Sequence, residues 1–180
     1  LQRAPVASRI WGHAVPGAFV TVALLQTLIT TNASEHDGSW LLELPPFEAQ
    51  AAVTLSVSSL EERVDVSVDF GDVFLCSGQS NMWWPRAMTG SDSTDPAPPG
   101  LAPIRAYHRT NGWGAPDEQF SAVCWHAALE IAARDNVTVG LLAESHGGTS
   151  ITCWSAPEDL ETCSFHDDEH PSECYNDKIM

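Results

Sequence analysis

The chain has 180 residues, with 8 Lys and Arg against 24 Asp and Glu, for a formal net charge of −16. With 43% hydrophobic and 18% charged residues it reads as a globular chain of one domain or two small ones, not a disordered one. The acidity leaves no basic patch to displace counterions from a phosphate backbone, which excludes nucleic acid as a partner, and the longest apolar run, 19–25, is far too short for a membrane span.

Residues 1–70 read as β structure. The runs 19–25, 39–44, 51–59 and 63–70 are rich in Val, Thr, Leu and Ser. The last alternates, with Val64, Val66, Val68 and Phe70 on one face and Asp65, Ser67 and Asp69 on the other. Pro16-Gly17, Asp37-Gly38 and Pro45-Pro46 mark turns. Short antiparallel strands at this spacing predict a small N-terminal β-sandwich. No titratable cluster within it carries chemistry.

After Gly71 the pattern changes. Runs 72–76, 104–108 and 137–143 are nearly continuous in apolar residues, as strands covered on both faces are. Residues 121–135 place Val123, Ala127, Ala128, Ile131 and Ala132 close to helical spacing, and Asn136 ends that helix. Ser155-Ala-Pro-Glu158 has the form of a capping box, while 88–100, with its Pro and Gly among Ser and Asp, is a loop. Strand, helix, strand, helix is the grammar of a parallel α/β sheet. The expected organisation is therefore α/β overall: a sandwich over 1–70, then an α/β domain over 71–180.

Five cysteines form no C-x-x-C pair, which argues against a zinc ribbon, and their pairing stays open. The odd count leaves one thiol without a partner inside the chain. Two sequons, at Asn32 and Asn136, would accept N-glycan in the secretory pathway. Together these features tilt the reading towards a secreted or lysosomal glycoprotein. The isolated histidines His13, His36, His108 and His126 are expected to be structural or solvent-facing.

The sharpest chemical signal is Asp72-Val-Phe-Leu-Cys-Ser-Gly-Gln-Ser-Asn-Met82. A strand runs straight into Gly78-Gln79-Ser80 and helix-compatible residues follow. Ser80 then sits at a helix start, where a hydroxyl can act as nucleophile beside free backbone N–H groups. The plainer alternative makes Ser80 an ordinary helix cap. Met82 stands where G-x-S-x-G needs its second glycine, so the α/β-hydrolase elbow does not fit.

This segment resembles the first block of the SGNH (GDSL-like) esterase superfamily and, within it, of the sialate O-acetylesterases. Ile10-Trp11-Gly12, Pro16-Gly17-Ala18 and Phe120-Ser-Ala-Val-Cys-Trp125 are similar to further segments of that family. Gly140-Leu-Leu-Ala-Glu-Ser-His-Gly-Gly-Thr-Ser-Ile-Thr-Cys-Trp-Ser155 resembles its second block, with weaker similarity at Tyr175-Asn176 and Ile179. The resemblance implies a partial SGNH (flavodoxin-like) parallel α/β domain after the sandwich. It makes Ser80 the nucleophile and places the oxyanion donors at Ser80 N–H and Gly148 or Gly147, with Gly148 preferred. Gln79, Asn81, Thr149 and Trp154 shape the pocket.

The implied substrate is an O-acetylated sialic acid or another acetylated glycan, hydrolysed with neither metal nor cofactor. The same resemblance implies a gap. The family completes its triad with a downstream Asp-x-x-His, and this chain is expected to stop at Met180 before reaching it, as a fragment with weak or no activity alone. Asp167-Asp-Glu-His170 satisfies that pattern literally but falls in an acidic stretch before Tyr175-Asn176, so a solvated loop is the favoured reading. His146 replaces the family's usual Trp, and Trp83-Trp84 its usual polar residue. Alternatives are a non-catalytic glycan-binding pseudoenzyme and an acetyl esterase for other polysaccharides.

Overall fold

The computed structural model describes residues 1–90, 97–156 and 158–159. It separates into two compact units. The first comprises Leu1–Val73, Gly100–Ile104 and Ile131–Gly140, and the second the described residues of Phe74–Pro99, Arg105–Glu130 and Leu141–Met180.

The first unit carries six antiparallel strands: β1 (Ser8–His13), β2 (Phe19–Leu24), β3 (Thr27–Asn32), β4 (Ser39–Leu44), β5 (Gln50–Ser59) and β6 (Glu62–Phe70). β1 pairs with β4 in a two-stranded sheet, and β3-β2-β5-β6 form a four-stranded one. Val20, Val22, Leu24, Leu42, Leu44, Val53, Leu55 and Phe70 are buried together, with β2, β4 and β5 giving alternate residues to the core. Two strands were invisible to the pattern reading, β1 and β3, although Ile10-Trp11-Gly12 within β1 was singled out by resemblance. The alternation of β6 is real but only its end is covered: Phe70 is 1% exposed and Val64 60%. Val64, Val66 and Val68, with Ile10, Trp11 and Val57, line an open apolar trough of about 900 Å³ in this unit.

A second sheet follows, built from β7 (Asp72–Gly78), β8 (Ile104–His108), β9 (Gly112–Gly114) and β10 (Val139–Ser145), with helices α1 (Ser80–Trp83) and α2 (Ala122–Asp135) between them. Its order is β7-β10-β8-β9, with parallel strands except where β9 turns back antiparallel on β8. The β8–α2–β10 crossover is the expected strand-helix-strand unit. Ile104, Ala106, Val139 and Leu141 are buried as predicted. β7 is not covered on both faces, because it is an edge strand, and Leu75 is 68% exposed.

The buried stripe of α2 also differs from the expected one. Ala128 and Ala132 are buried as expected, but Val123 and Ala127 are exposed, and Ala122, Cys124 and Trp125 complete the buried stripe. Trp125 is the largest side chain on the helix, and Cys124 is tied by a disulfide to Cys76 of β7, so these two set the inward face. Asn136 takes the left-handed conformation (φ 50°) and donates its N–H to Ala132, closing the helix as predicted. The Ser155 hydroxyl donates to the Ile151 carbonyl at 3.2 Å, and the rest of the expected capping box falls partly outside the described residues.

Candidate active site

β7 runs into Gly78-Gln79-Ser80. Gly78 has φ +142°, a conformation that side-chain-bearing residues rarely adopt, and this lets the chain turn sharply into α1. Gln79 is the N-cap and makes no side-chain capping bond, while its carbonyl accepts the N–H groups of Met82 (2.9 Å) and Trp83 (3.2 Å). Ser80 is thus the first helical residue and not the cap. Its hydroxyl is exposed and donates to Gln79 Oε1 at 3.2 Å. It is not spent on satisfying the helix start, which removes the plainest structural explanation for a serine here.

β10 lies beside β7 in the sheet and ends at Ser145. The His146 N–H then donates to the Gly78 carbonyl at 2.9 Å, carrying the pairing one residue past the strand. Gly147 comes next and packs on Ser80: a Cβ there would stand 3.7 Å from Ser80 Cβ and 3.9 Å from its Cα. Gly148, at φ +81°, would meet nothing within 4 Å. Of the two expected glycines, Gly147 is therefore the one against Ser80. Thr149 is buried, donates to the His146 carbonyl (2.8 Å) and accepts Trp154 Nε1–H (2.8 Å), so these two pocket candidates hold the turn in shape. Asn81 is exposed beside Ser80 on α1. The two turns meet at the carboxyl ends of adjacent parallel strands, the usual position for a site in such sheets.

A cavity of about 370 Å³ opens alongside within the same unit. Its walls are Met82 and Trp83 of α1, Tyr107 and His108 at the end of β8 with Arg109 beyond it, Glu144 and Ser145 of β10, and the segment around Asp117. Arg109 is ion-paired with Glu144. His108 has Nε2 3.2 Å from the Ala115 carbonyl and Nδ1 3.7 Å from Asp117 Oδ2. Arg86 is buried under the Asp117 segment, donates to the Pro116 (2.9 Å) and Asp117 (3.2 Å) carbonyls, and lies 4.1 Å over the Trp125 ring. Of these residues the sequence reading names His108, as structural or solvent-facing, and Trp83, as a departure from the family, and passes over Tyr107, Arg109, Asp117 and Glu144. Tyr107 and His108 close the run read as 104–108, and Arg109 and Glu144 lie one residue beyond the runs 104–108 and 137–143.

No described imidazole or carboxylate bonds the Ser80 hydroxyl, whose partner is a side-chain amide. Asp167 and His170, the literal Asp-x-x-His, lie outside the described residues, as do the neighbouring acidic and histidine side chains, Cys163, Cys174 and the Tyr175-Asn176 and Ile179 matches. The sequon residues Asn32, ending β3, and Asn136, following α2, are both exposed.

No family model matches the chain. It is 31% identical over 199 residues to sialate O-acetylesterase of Homo sapiens, an alignment covering 91% of this chain and 38% of that protein. The enzyme of the same name from Mus musculus is 32% identical over 204 residues, covering 91% and 37%. The chain is a sequence relative of the sialate O-acetylesterases. It spans under two fifths of their length. In three dimensions it is similar to a carbohydrate acetylesterase from Xanthomonas citri, with a TM-score of 0.76 and 27% identity, over 89% of this chain and 41% of that one. The fold read from the sequence, with its sheet of parallel strands, thus has an esterase counterpart.

Proposed function

We propose that this chain is the nucleophile-bearing part of a carbohydrate O-acetylesterase. The observation that carries the reading is Ser80: an exposed hydroxyl at a strand-to-helix turn, unspent on the helix, with Gly147 packed on it. Ser80 Oγ attacks the acetyl carbonyl, and the resulting oxyanion is held by backbone N–H groups of Ser80 and of Gly147 or Gly148. Collapse expels the sugar oxygen, which takes a proton to leave as an alcohol. Water then attacks the acetyl-serine, releasing acetate and restoring the hydroxyl. Water is the only co-reactant, and the serine route invokes no metal or cofactor.

The Gln79 amide oxygen cannot accept the proton that Ser80 must lose. A base has to come from another side chain, and without one in reach turnover is slow. The substrate class is an O-acetylated glycan, with O-acetylated sialic acid suggested by the relatives' names. The disulfide and the two exposed sequons support passage through the secretory pathway, to the outside or to lysosomes, with glycan on Asn32 and Asn136.

A fluorophosphonate probe tests the reading. We expect labelling at Ser80 and slow acetate release from acetylated sugars, both lost in Ser80→Ala. An unlabelled Ser80 in a folded chain that still binds acetylated sugar would instead support a glycan-binding protein without chemistry.

A further inference from the structure

The cavity walled by Met82 and Trp83, two and three residues after Ser80, has a composition that bears on which sugar it takes. At about 370 Å³ it is at the small end of ligand pockets, fit for a single sugar unit. Two of its walls are aromatic and open to solvent: Trp83 is 58% exposed and Tyr107 43%. Sugar rings present flat C–H faces that stack on such surfaces, and hydroxyls that donate to carboxylates. Asp117 and Glu144 supply the carboxylates.

The charge is the informative part. Counted with histidine neutral and among the described residues, the lining has one positive group, Arg109, and two negative ones, Asp117 and Glu144. The guanidinium is engaged by Glu144. A carboxylate on the ligand would have to displace Glu144 from Arg109 and leave three negative groups around one cation. Like-charge crowding of this kind discriminates against a partner more sharply than it favours another.

Resting on the esterase reading of Ser80, we propose that this cavity is the sugar subsite and selects an uncharged acetylated sugar over a carboxylated one such as an acetylated sialic acid. Trp83 and Tyr107 stack on the ring. Glu144, with Asp117, accepts its hydroxyls and repels a carboxylate.

Binding tests this without relying on turnover. The whole chain, carrying Ser80→Ala to prevent hydrolysis, is titrated by calorimetry with acetylated methyl xyloside, with 9-O-acetyl-N-acetylneuraminic acid, and with the methyl ester of the latter. We expect the xyloside and the methyl ester to bind at least tenfold tighter than the free acid, with the gap shrinking in 0.5 M NaCl. Glu144→Gln should narrow the gap about tenfold, and Trp83→Ala should weaken all three ligands, circular dichroism confirming the fold of each variant. Equal or tighter binding of the free acid, an unaltered gap in Glu144→Gln, or no binding by any of the three overturns the proposal. Selective binding to a chain whose native Ser80 resists fluorophosphonate would leave the subsite standing and remove the esterase reading.

Discussion

The His146 N–H donates to the Gly78 carbonyl at 2.9 Å, and this one bond sets the second turn of the site against the first. It fixes the chain just before Gly147, whose hydrogen takes the place of a side chain 3.7 Å from Ser80 Cβ. That spacing is an ordinary van der Waals contact, so alanine fits at 147 without strain but adds a methyl against Ser80. Gly147→Ala should keep stability within about 0.5 kcal/mol of the parent while slowing fluorophosphonate labelling at least tenfold. Gly148→Ala should do the reverse in kind, losing about 1–2 kcal/mol to its left-handed backbone (φ +81°). Denaturant melts and labelling rates on both variants separate the two roles. Unslowed labelling in Gly147→Ala would remove Gly147 from the nucleophile's surroundings.

The Cys76–Cys124 disulfide joins β7, four residues before Ser80, to the buried face of α2 across a separation of 48 residues. Closing a loop of that length removes unfolded-state entropy worth about 4 kcal/mol in the chain-entropy account. Replacing both cysteines by alanine should lower stability by about 2–4 kcal/mol and the melting midpoint by roughly 5–15 °C. Melts with and without reductant, on parent and variant, check this. A reductant-insensitive midpoint in the parent would mean that the bridge contributes nothing.

The sequence disclosed most of this architecture because its strands are marked at their ends. The runs that became β4, β6 and β8 are bounded by Gly, Pro or charged residues, and their limits fall within a residue of those read from the pattern. β3 was missed because the hairpin before it turns on Leu25-Gln26, with Leu25 at φ 53°, and neither residue signals a turn. The exposure of β7 was unreadable because edge position is decided by strand order, which is a property of the whole sheet. At the site, local chemistry singled out Ser80, and Gly147 was found only through resemblance. Arg109, Asp117 and Glu144 are separated along the chain and acquire meaning only when β8 and β10 place their carboxyl ends together.

Gly71 illustrates a constraint with no local signature. A Cβ there would stand 2.0 Å from the Thr138 carbonyl oxygen, which also accepts the Asp72 N–H at 2.9 Å. The obstacle is backbone and cannot swing aside like a side chain. Gly71→Ala should therefore cost about 1–3 kcal/mol or more, and hydrogen exchange at the Asp72 amide should accelerate. An alanine variant with parent stability and a protected Asp72 amide would contradict the close approach.

The turn between β3 and β4 carries the clearest titration. The Asp37 carboxylate accepts the Ser39 N–H at 3.0 Å and the Ser39 hydroxyl at 2.7 Å, with the Ser34 hydroxyl also close. These bonds to the charged form hold its pKa down to about 2, from an ordinary 3.8. Because the folded value lies below the unfolded one, the stabilisation is fully present above about pH 4 and is lost as pH falls through 2. Carboxyl-carbon NMR should give Asp37 a midpoint near 2, and Ser39→Ala should move it up towards 3.8. In Asp37→Asn that part of the acid destabilisation should vanish, leaving stability less dependent on pH between 4 and 2. A parent midpoint at the ordinary value would show that the Ser39 bonds do not persist in solution.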